Sequence, residues 1–156
     1  MAGNVPELLV KPNRFGAGVY IAEDVAKSRL LVAASGRLTR VRSRTSIQVD
    51  PTHHAEFGSP VQFINHSCEP NCYLEIPRGQ AQVRVIALRD LKAAEELTLD
   101  YDTFEYQVEH FEAACGCGCR SCRGRILGFR HLPQHLRPAL APYLAEYLRS
   151  GELVQV

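Results

Sequence analysis

Short apolar runs separated by Gly, Pro and Asn characterise the first hundred residues of this 156-residue chain. Two of these runs span residues 19–21 and 30–32, and in a third, from 81 to 88, Val83 and Val85 alternate with polar residues. Alternation with a period of two is typical of a strand that buries one face. The pattern therefore predicts a body that is mainly β.

Helical periodicity is confined to the second half of the chain. The segment 106–114 is a short candidate helix, and a stronger pattern ends near Arg149. In the stronger pattern, Pro142 suits a first helical turn and Gly151 suits a helix end. We expect this amphipathic helix to pack on its own domain rather than to bind a partner. Its apolar positions, spaced by three and four, are Leu140, Tyr143, Leu144, Tyr147 and Leu148.

The composition is that of a folded protein, with 46% hydrophobic and 22% charged residues, which excludes a disordered or collagen-like chain. No apolar run approaches the ~18 residues of a membrane helix. Residues 1–13 also lack the basic and apolar segments of a secretory signal. We therefore expect a soluble intracellular protein with one core and no membrane attachment. The net charge of +1 disfavours direct nucleic-acid binding.

Charge is unevenly distributed along the chain. Seven acidic residues and no Lys or Arg lie between 95 and 112, so this acidic stretch could attract a basic partner. Four arginines lie between 37 and 44 with the spacing of a solvated strand face, and a zinc-stabilised nucleic-acid binder is a minor hypothesis that depends on them. The acids are Glu95, Glu96, Asp100, Asp102, Glu105, Glu109 and Glu112, and the arginines are Arg37, Arg40, Arg42 and Arg44.

Four of the six cysteines lie within eight residues, which is too close for unstrained mutual disulfides. Thiolate ligands of Zn²⁺ explain this spacing better. The fourth ligand could be a local cysteine, but a thiol from elsewhere, Cys68 or Cys72, is geometrically easier. The clustered thiols are Cys115, Cys117 and Cys122, which could share one tight loop, and Cys119.

Three further motifs contain polar residues suited to binding. The segment 65–72 reads Asn-His-Ser-Cys-Glu-Pro-Asn-Cys and is typical of a tightly turned, hydrogen-bonded loop. The segment 95–101 is a short apolar alternation that ends in a tyrosine. A Gly-x-Gly turn at 16–18 would let the backbone approach a ligand closely. Because it lacks a third glycine and the strand-then-helix context, it does not indicate a dinucleotide site.

In this order, the Gly-x-Gly turn, the Asn-His-Ser-Cys block, the segment 96–101 (Glu-Leu-Thr-Leu-Asp-Tyr) and the cysteine cluster resemble SET-domain protein lysine methyltransferases with a post-SET zinc segment. The resemblance covers about residues 13–127. It implies a mainly β fold of several short twisted sheets with a pseudoknot, a C-terminal zinc loop and a short C-terminal helix. It also implies a SET domain at 13–113, a post-SET zinc segment at 114–130 and a helical extension at 131–156.

The resemblance implies two cofactors, S-adenosylmethionine and Zn²⁺. Residues 15–18 would line S-adenosylmethionine from one side and residues 65–66 would hold it from the other. Four thiols would bind zinc, and one of them would come from the distant Asn-His-Ser-Cys block. The implied cofactor residues are Phe15, Gly16, Ala17, Gly18, Asn65 and His66, and the implied zinc ligands are Cys68, Cys115, Cys117 and Cys122.

The implied activity is methyl transfer to a lysine side chain, with Tyr101 as the catalytic residue. A lysine amine is almost fully protonated at neutral pH and must lose a proton before it attacks a methyl group. Tyr101 would orient the neutral amine, since a phenol with a pKa near ~10 is a poor base. The family topology would bring Asn65 and Tyr101 together although 36 residues separate them.

Two positions of the implied lysine channel depart from the family pattern. Many members have an aromatic residue where this chain has Ala34, and Phe or Tyr where it has Leu99. Because Leu99 has no hydroxyl to hold a water, we expect more than one methyl addition. The departures also raise the alternative of a catalytically silent SET-like zinc module that binds a peptide or partner.

The expected substrate is a basic, lysine-containing protein such as a histone or histone-like protein, recruited by the acidic stretch. Its compartment would be the cytoplasm in a prokaryote and the nucleus in a eukaryote.

Overall fold

The computed structural model describes residues 3–109 and 114–149. In these ranges, ten short strands form four small sheets, which confirms the mainly β prediction. The strands are β1 (Leu8–Asn13), β2 (Gly16–Ile21), β3 (Leu30–Ser35), β4 (Arg37–Thr39), β5 (Ile47–Gln48), β6 (His54–Glu56), β7 (Asn65–His66), β8 (Cys72–Glu75), β9 (Gln82–Ala87) and β10 (Thr98–Leu99).

Three of the sheets are antiparallel. They are the β1–β2 hairpin, the sheet ordered β3-β9-β8 and the sheet ordered β4-β6-β5. The predicted alternation is confirmed in β9, where Val83 and Val85 are buried and Gln82 and Arg84 are exposed. The buried faces of these sheets meet in one hydrophobic core.

The fourth sheet is a parallel pair in which Thr98 of β10 lies opposite Asn65 of β7. Asn71 reinforces this pairing from the neighbouring loop. Its Nδ2 donates to the carbonyl of Glu96 at 2.8 Å, and its Oδ1 accepts from the backbone N–H of Thr98 at 2.8 Å. The pairing places the Asn-His-Ser-Cys block beside the segment that ends in Tyr101.

The predicted short C-terminal helix is confirmed and ends at Arg149, but the helical stretch from Leu140 to Leu148 is interrupted. The structure contains two single-turn helices, α1 (Arg137–Leu140) and α2 (Glu146–Arg149), separated by a 3₁₀ turn and an extended Leu144. Pro142 lies in the first turn of the 3₁₀ segment, and a proline cannot donate the hydrogen bond that a continuous helix would need there. Gly151 lies outside the described residues.

The expected packing of the C-terminal segment on its own domain is confirmed. Tyr147 is fully buried, and its hydroxyl donates to the carbonyl of Phe104 at 2.6 Å. Leu144 and Leu148 join the same core. The C-terminal segment therefore stays packed on the core although its helix is interrupted at Leu144.

The predicted helix at 106–114 is wrong over residues 106–109, which are irregular. The N–H of Val108 donates to the carbonyl of Leu127, and Ala114 forms an isolated bridge with Arg125. Residues 110–113 of this prediction lie outside the described residues. The backbone before the cysteine cluster thus pairs with the chain that follows the cluster.

Among the described residues, no helix has the length and apolar character needed to cross a membrane.

Candidate active site

An open cleft of about 420 Å³ lies between the β1–β2 turn, β7 and the cysteine loop. This volume falls within the range of small-molecule and cofactor sites. Aromatic rings and amide groups dominate its wall. The lining residues are Asn13, Arg14, Phe15, Tyr20, Asn65, His66, Ser67, Glu96, Thr98 and Cys117.

Glu96 ties the two sides of this cleft together. Its Oε1 accepts from Asn65 Nδ2 at 2.9 Å and from Asn13 Nδ2 at 3.1 Å. Asn65 Nδ2 also donates to the carbonyl of Ala17 at 2.7 Å. The Asn65 side chain is therefore held by the glycine turn and by the segment before β10.

Gly18 is required by this arrangement. A Cβ at that position would lie 2.4 Å from Asn13 Nδ2 and 2.5 Å from Glu96 Oε1, which is far inside van der Waals contact. Gly16 has a φ of +104°, a conformation that L side chains rarely adopt. The turn thus needs glycine at position 16 for its backbone conformation and at position 18 for lack of space.

A second, much smaller cavity of about 40 Å³ lies behind β7 and β10. Five apolar side chains line it, together with six polar or charged ones that include Arg44, Tyr101 and Glu105. This volume exceeds the roughly 10–15 Å³ that one water needs. The lining residues are Arg44, Thr45, Ser46, Ile47, Val61, Gln62, Ile64, Leu99, Tyr101, Phe104 and Glu105.

His66 and Tyr101 contact each other, and each lines one of the two cavities. Their ring centroids are 5.3 Å apart, and the N–H of Tyr101 donates to His66 Nδ1 at 3.0 Å. Burial, together with the charge of Arg123, lowers the pKa of His66 to about 3, so the imidazole is neutral. Because Nδ1 accepts a hydrogen bond, the ring proton lies on Nε2, 3.4 Å from Cys68 Sγ.

The Tyr101 side chain is held from two directions. Its hydroxyl donates to the carbonyl of Ile64 at 2.6 Å, and its ring packs against Phe104 at a centroid distance of 5.5 Å. Burial raises the pKa of Tyr101 above its usual value, so the group is a phenol at neutral pH. A phenol hydroxyl that donates its proton can also accept hydrogen bonds at its oxygen.

Three of the seven acids in the stretch that was expected to attract a basic partner lie in the interior. Asp100, Asp102 and Glu105 are buried. Arg123 Nη2 donates to Asp100 Oδ1 at 2.6 Å and to Asp102 Oδ2 at 2.9 Å. These acids help to hold the C-terminal segment in place, because burying carboxylates without partners is costly. Glu109 is exposed, and Glu112 lies outside the described residues.

Four thiols converge at one point of the structure. The Sγ atoms of Cys68, Cys115, Cys117 and Cys122 all lie within 4.8 Å of one another, and those of Cys68 and Cys115 are 3.8 Å apart. A Zn–S bond of about 2.3 Å gives a tetrahedral edge of about 3.8 Å. The donor set and its spacing therefore fit zinc.

Backbone N–H groups also point to these sulfurs. The N–H of Arg123 lies 3.4 Å from Cys68 Sγ, and that of Gly124 lies 3.4 Å from Cys122 Sγ. Such contacts favour thiolates. Among the described residues, Cys72 lies outside the group because it is buried in the core, and Cys119 lies outside it although its sulfur is 3.4 Å from that of Cys117.

The structure brings most of the predicted cofactor residues together at the cleft. Phe15, Asn65 and His66 line it, Ala17 contributes a carbonyl to Asn65, and Gly16 and Gly18 shape the turn. Leu99 and Tyr101 line the smaller cavity. Ala34 lies in β3 opposite Val83 and is not among the described residues that line either cavity.

Sequence reasoning missed several residues that line the cavities. Asn13 precedes the glycine turn, and its position opposite Gly16 in a hairpin is a local signal that could have indicated it. Glu105 was counted only as a member of the acidic stretch, and Glu96 belonged to the 96–101 motif without a role in the cleft. Nothing in their sequence spacing indicates that their side chains are partly or fully buried beside a cavity.

A family model described as the SET domain matches residues 16–102, which is more than half of the chain. The chain therefore belongs to the SET-domain family. Its curated relatives include the histone-lysine N-methyltransferase ASHR3 of Arabidopsis thaliana, 34% identical over 138 residues that cover 76% of this chain and 27% of the relative. The human histone-lysine N-methyltransferase 2B is 42% identical over 77 residues, which cover 48% of this chain and 3% of the relative.

The fold has clear counterparts among solved structures. KRYPTONITE in complex with mCHH DNA, an H3(1-15) peptide and SAH superposes with a TM-score of 0.65 at 26% identity, over 80% of this chain and 30% of that one. The methyltransferase domain of human SETMAR superposes with a TM-score of 0.62 at 20% identity, over 81% of this chain and 60% of that one. The chain spans about a quarter or less of the two curated relatives described above.

Proposed function

We propose that this protein transfers a methyl group from S-adenosylmethionine to the side-chain amine of a lysine in a basic protein. The observation that supports this most directly is the contact between His66 and Tyr101, which places a large open cleft beside a small cavity that Tyr101 lines. Membership of the SET-domain family and relatives named histone-lysine N-methyltransferases support the same proposal.

The cleft has the groups needed to hold S-adenosylmethionine. Phe15, Tyr20 and His66 offer aromatic faces, Asn65 offers an oriented amide, and Glu96 offers a carboxylate. When bound, S-adenosylmethionine supplies a methyl group made electrophilic by its sulfonium. The cleft residues would bind and orient that cofactor from both sides.

The Tyr101 cavity suits the end of a lysine side chain. Its apolar wall would bind the aliphatic stem and remove water from the ammonium, which lowers the lysine pKa and favours the neutral amine. The Tyr101 hydroxyl, whose proton is donated to the Ile64 carbonyl, would then accept an N–H of that amine and orient its lone pair. Tyr101 thus acts by alignment rather than as a base.

Zinc would complete the cleft from the C-terminal side. Cys117 lines the cleft, and Arg14 Nη2 donates to the carbonyl of Gly116 at 2.6 Å. Zinc bound by Cys117 and the other three clustered thiols would hold this loop against the β1–β2 turn. The metal is therefore proposed to be structural, since four protein ligands leave no open position.

The proposed substrate class is a histone or histone-like protein, and a eukaryotic enzyme of this kind would act in the nucleus. The relatives are named histone-lysine methyltransferases, and one structural counterpart contains an H3 peptide and SAH. We further propose more than one methyl addition, because Leu99 offers no hydroxyl to the cavity that it lines.

The proposed division is a SET domain at 13–113, a post-SET zinc segment at 114–130 and a helical extension at 131–156. Tyr147 and Leu148 of the extension belong to the same hydrophobic core as Val83 of the SET domain. The extension would therefore unfold together with the SET domain.

The decisive experiment incubates the protein with methyl-labelled S-adenosylmethionine and a panel of basic proteins, with Tyr101→Phe as the matched variant. We expect label on lysine, and a loss of turnover of at least about 100-fold in the variant, because one positioned hydroxyl is removed. Cofactor affinity should stay within about twofold, since Tyr101 does not line the cleft.

Equal turnover in Tyr101→Phe would remove this residue from the mechanism. Failure of the wild-type protein to label any basic protein, with cofactor binding intact, would favour the catalytically silent module that Ala34 and Leu99 suggest. The two results are distinguishable because cofactor binding is measured separately.

A further inference from the structure

Glu105 is a buried acid that lies beside Tyr101. Its residue exposure is 4%, and its Oε1 accepts from the backbone N–H of Gln48 at 3.2 Å. Its Oε2 is also buried and has no hydrogen-bond partner among residues 3–109 and 114–149. The residue contributes to the wall of the Tyr101 cavity.

A structural role explains only one of the two carboxyl oxygens. Oε1 satisfies a backbone donor of β5, whereas Oε2 carries the cost of burial without a hydrogen bond. The cavity wall around it combines apolar side chains such as Ile47 and Leu99 with polar ones that include Arg44 and Tyr101. A buried carboxyl oxygen without a hydrogen bond is stabilised when it binds a proton, a water or a cation.

We propose that Glu105 accepts the proton of the substrate lysine's ammonium in this cavity, directly or through one water. In this step an N–H bond of the ammonium breaks, its electron pair stays on nitrogen, and the proton forms an O–H bond on Glu105. The neutral amine can then accept a methyl group, and the carboxyl group releases its proton to solvent before the next cycle. This role rests on the proposed lysine methylation.

The surroundings of Glu105 suit a base that works near neutral pH. Burial raises the pKa of Glu105 to about 8, against the Gln48 N–H and the Arg42 guanidinium, which lower it. A pKa near the working pH is what general base catalysis requires. The charged and titratable groups around it are Arg42 and Arg44 in the preceding loop, Asp50 after β5, Tyr101 and Tyr106 in its own segment and Tyr147 in α2.

The test compares Glu105→Gln with Glu75→Gln in the full chain. Glutamine keeps an acceptor for the Gln48 N–H, so folding should be retained, and Glu75 is an exposed acid paired with Arg84. We expect kcat/KM at pH 7 to fall roughly 100-fold or more in Glu105→Gln and to be unchanged in Glu75→Gln. Cofactor affinity should stay the same in both variants.

The pH profile separates a base from a structural residue. Wild-type kcat/KM should rise with pH through a single pKa near 8, because the ionised carboxylate is the active form, and Glu105→Gln should lack this step. Unchanged activity in Glu105→Gln would overturn the proposal. A loss of activity with the step near pH 8 retained would also overturn it, since Glu105 would then act only on structure.

A second measurement needs neither turnover nor the variant to fold. Carbon-13 NMR of the glutamate carboxyl groups should show Glu105 titrating above pH 7 in the free protein. A bound lysine peptide should lower that pKa, because its ammonium stabilises the carboxylate. An ordinary glutamate pKa that the peptide leaves unchanged would overturn the role of Glu105, whereas absent methyl transfer beside a peptide-sensitive pKa would count against the proposed methylation alone.

Discussion

The cleft and the Tyr101 cavity share one wall but differ in volume and in the side chains that line them. The cleft is open, holds about 420 Å³ and is bridged by side-chain hydrogen bonds centred on Glu96. The cavity holds about 40 Å³, and its wall combines core side chains such as Ile47 and Leu99 with the polar groups of Tyr101 and Glu105. The β7–β10 pair, with the contacting rings of His66 and Tyr101, lies between them.

Under the proposed function, one short strand pair serves two ligands of different size and chemistry. A large polar ligand needs many donors and acceptors, which loops supply, whereas a single aliphatic chain needs desolvation, which a core supplies. The cleft depends on the cysteine loop for part of its wall, and the cavity does not. Variants in the cleft should therefore change cofactor binding without changing the Tyr101 cavity, and variants in the cavity should do the reverse.

The largest effect on the cleft is expected from Cys122→Ser. Cys119→Ser is the matched control. Loss of one of four thiolates should weaken zinc binding by at least about tenfold. It should also weaken cofactor binding, because the loop with Cys117 lines the cleft. Competition with a chromophoric chelator and calorimetric cofactor titration measure the two effects. An equal loss in Cys119→Ser would contradict the four-thiol assignment.

Asn65→Ala should weaken cofactor binding in the cleft without changing the Tyr101 cavity. The variant loses the amide that donates to Ala17 and Glu96, and we expect a cofactor Kd about tenfold higher, which corresponds to ~1.4 kcal/mol. Calorimetric titration of S-adenosylmethionine measures the change. Gln62→Ala is the matched control, because Gln62 lines only the cavity. The comparison fails if both variants bind the cofactor equally weakly.

Leu99→Tyr should change the cavity alone and shift the number of methyl groups added. Wild-type protein is expected to add more than one, and the variant should stop at one, because a hydroxyl can hold a water where a further methyl group would lie. Leu99→Phe separates bulk from the hydroxyl, at an overpacking cost of roughly 1–3 kcal/mol. Mass spectrometry of a reacted peptide gives the product distribution. Only monomethyl product from the wild-type protein would contradict this expectation.

The smallest effect is expected from Glu109→Lys, which lies outside both cavities. Its side chain is 60% exposed, so charge reversal should raise the KM for a basic peptide about twofold, and more at low salt. Initial rates at two ionic strengths measure this, with Glu75→Lys as the control. The same KM for both variants at low salt would show that Glu109 does not attract the substrate.

Much of the fold was predictable from local pattern, and the failures have local causes. The alternation of β9 and the turn at Gly16 follow from residue types at fixed spacing. The spacing of Leu140 to Leu148 predicted one helix, but Leu144 is extended after a 3₁₀ turn that contains Pro142, so only the short α2 ends at Arg149. The 106–109 segment failed because its backbone pairs with Leu127 instead.

The acidic stretch shows a different kind of failure. Charge along a sequence is usually solvated, yet Asp100 and Asp102 are buried because Arg123, more than twenty residues later, returns to pair with both. Glu105 is buried beside the Tyr101 cavity without such a partner for its Oε2 in the described part of the chain. No local spacing indicates that Asp100 and Asp102 pair with Arg123 or that Glu105 is buried, because both depend on which distant segment of the chain packs against these residues.

The sequence by itself identified the groups on which the proposed chemistry depends: the clustered thiols, the glycine turn, the Asn-His-Ser-Cys block and Tyr101 at the end of the segment 96–101. These depend on residue type and on spacings of a few residues, which a reader of the sequence can see. Only the tertiary structure decided that Glu96 bridges the cleft and that Glu105 lies at the cavity. The physical reason is that the burial and pairing of a charge are set by segments far away in the chain, whose approach no local pattern encodes.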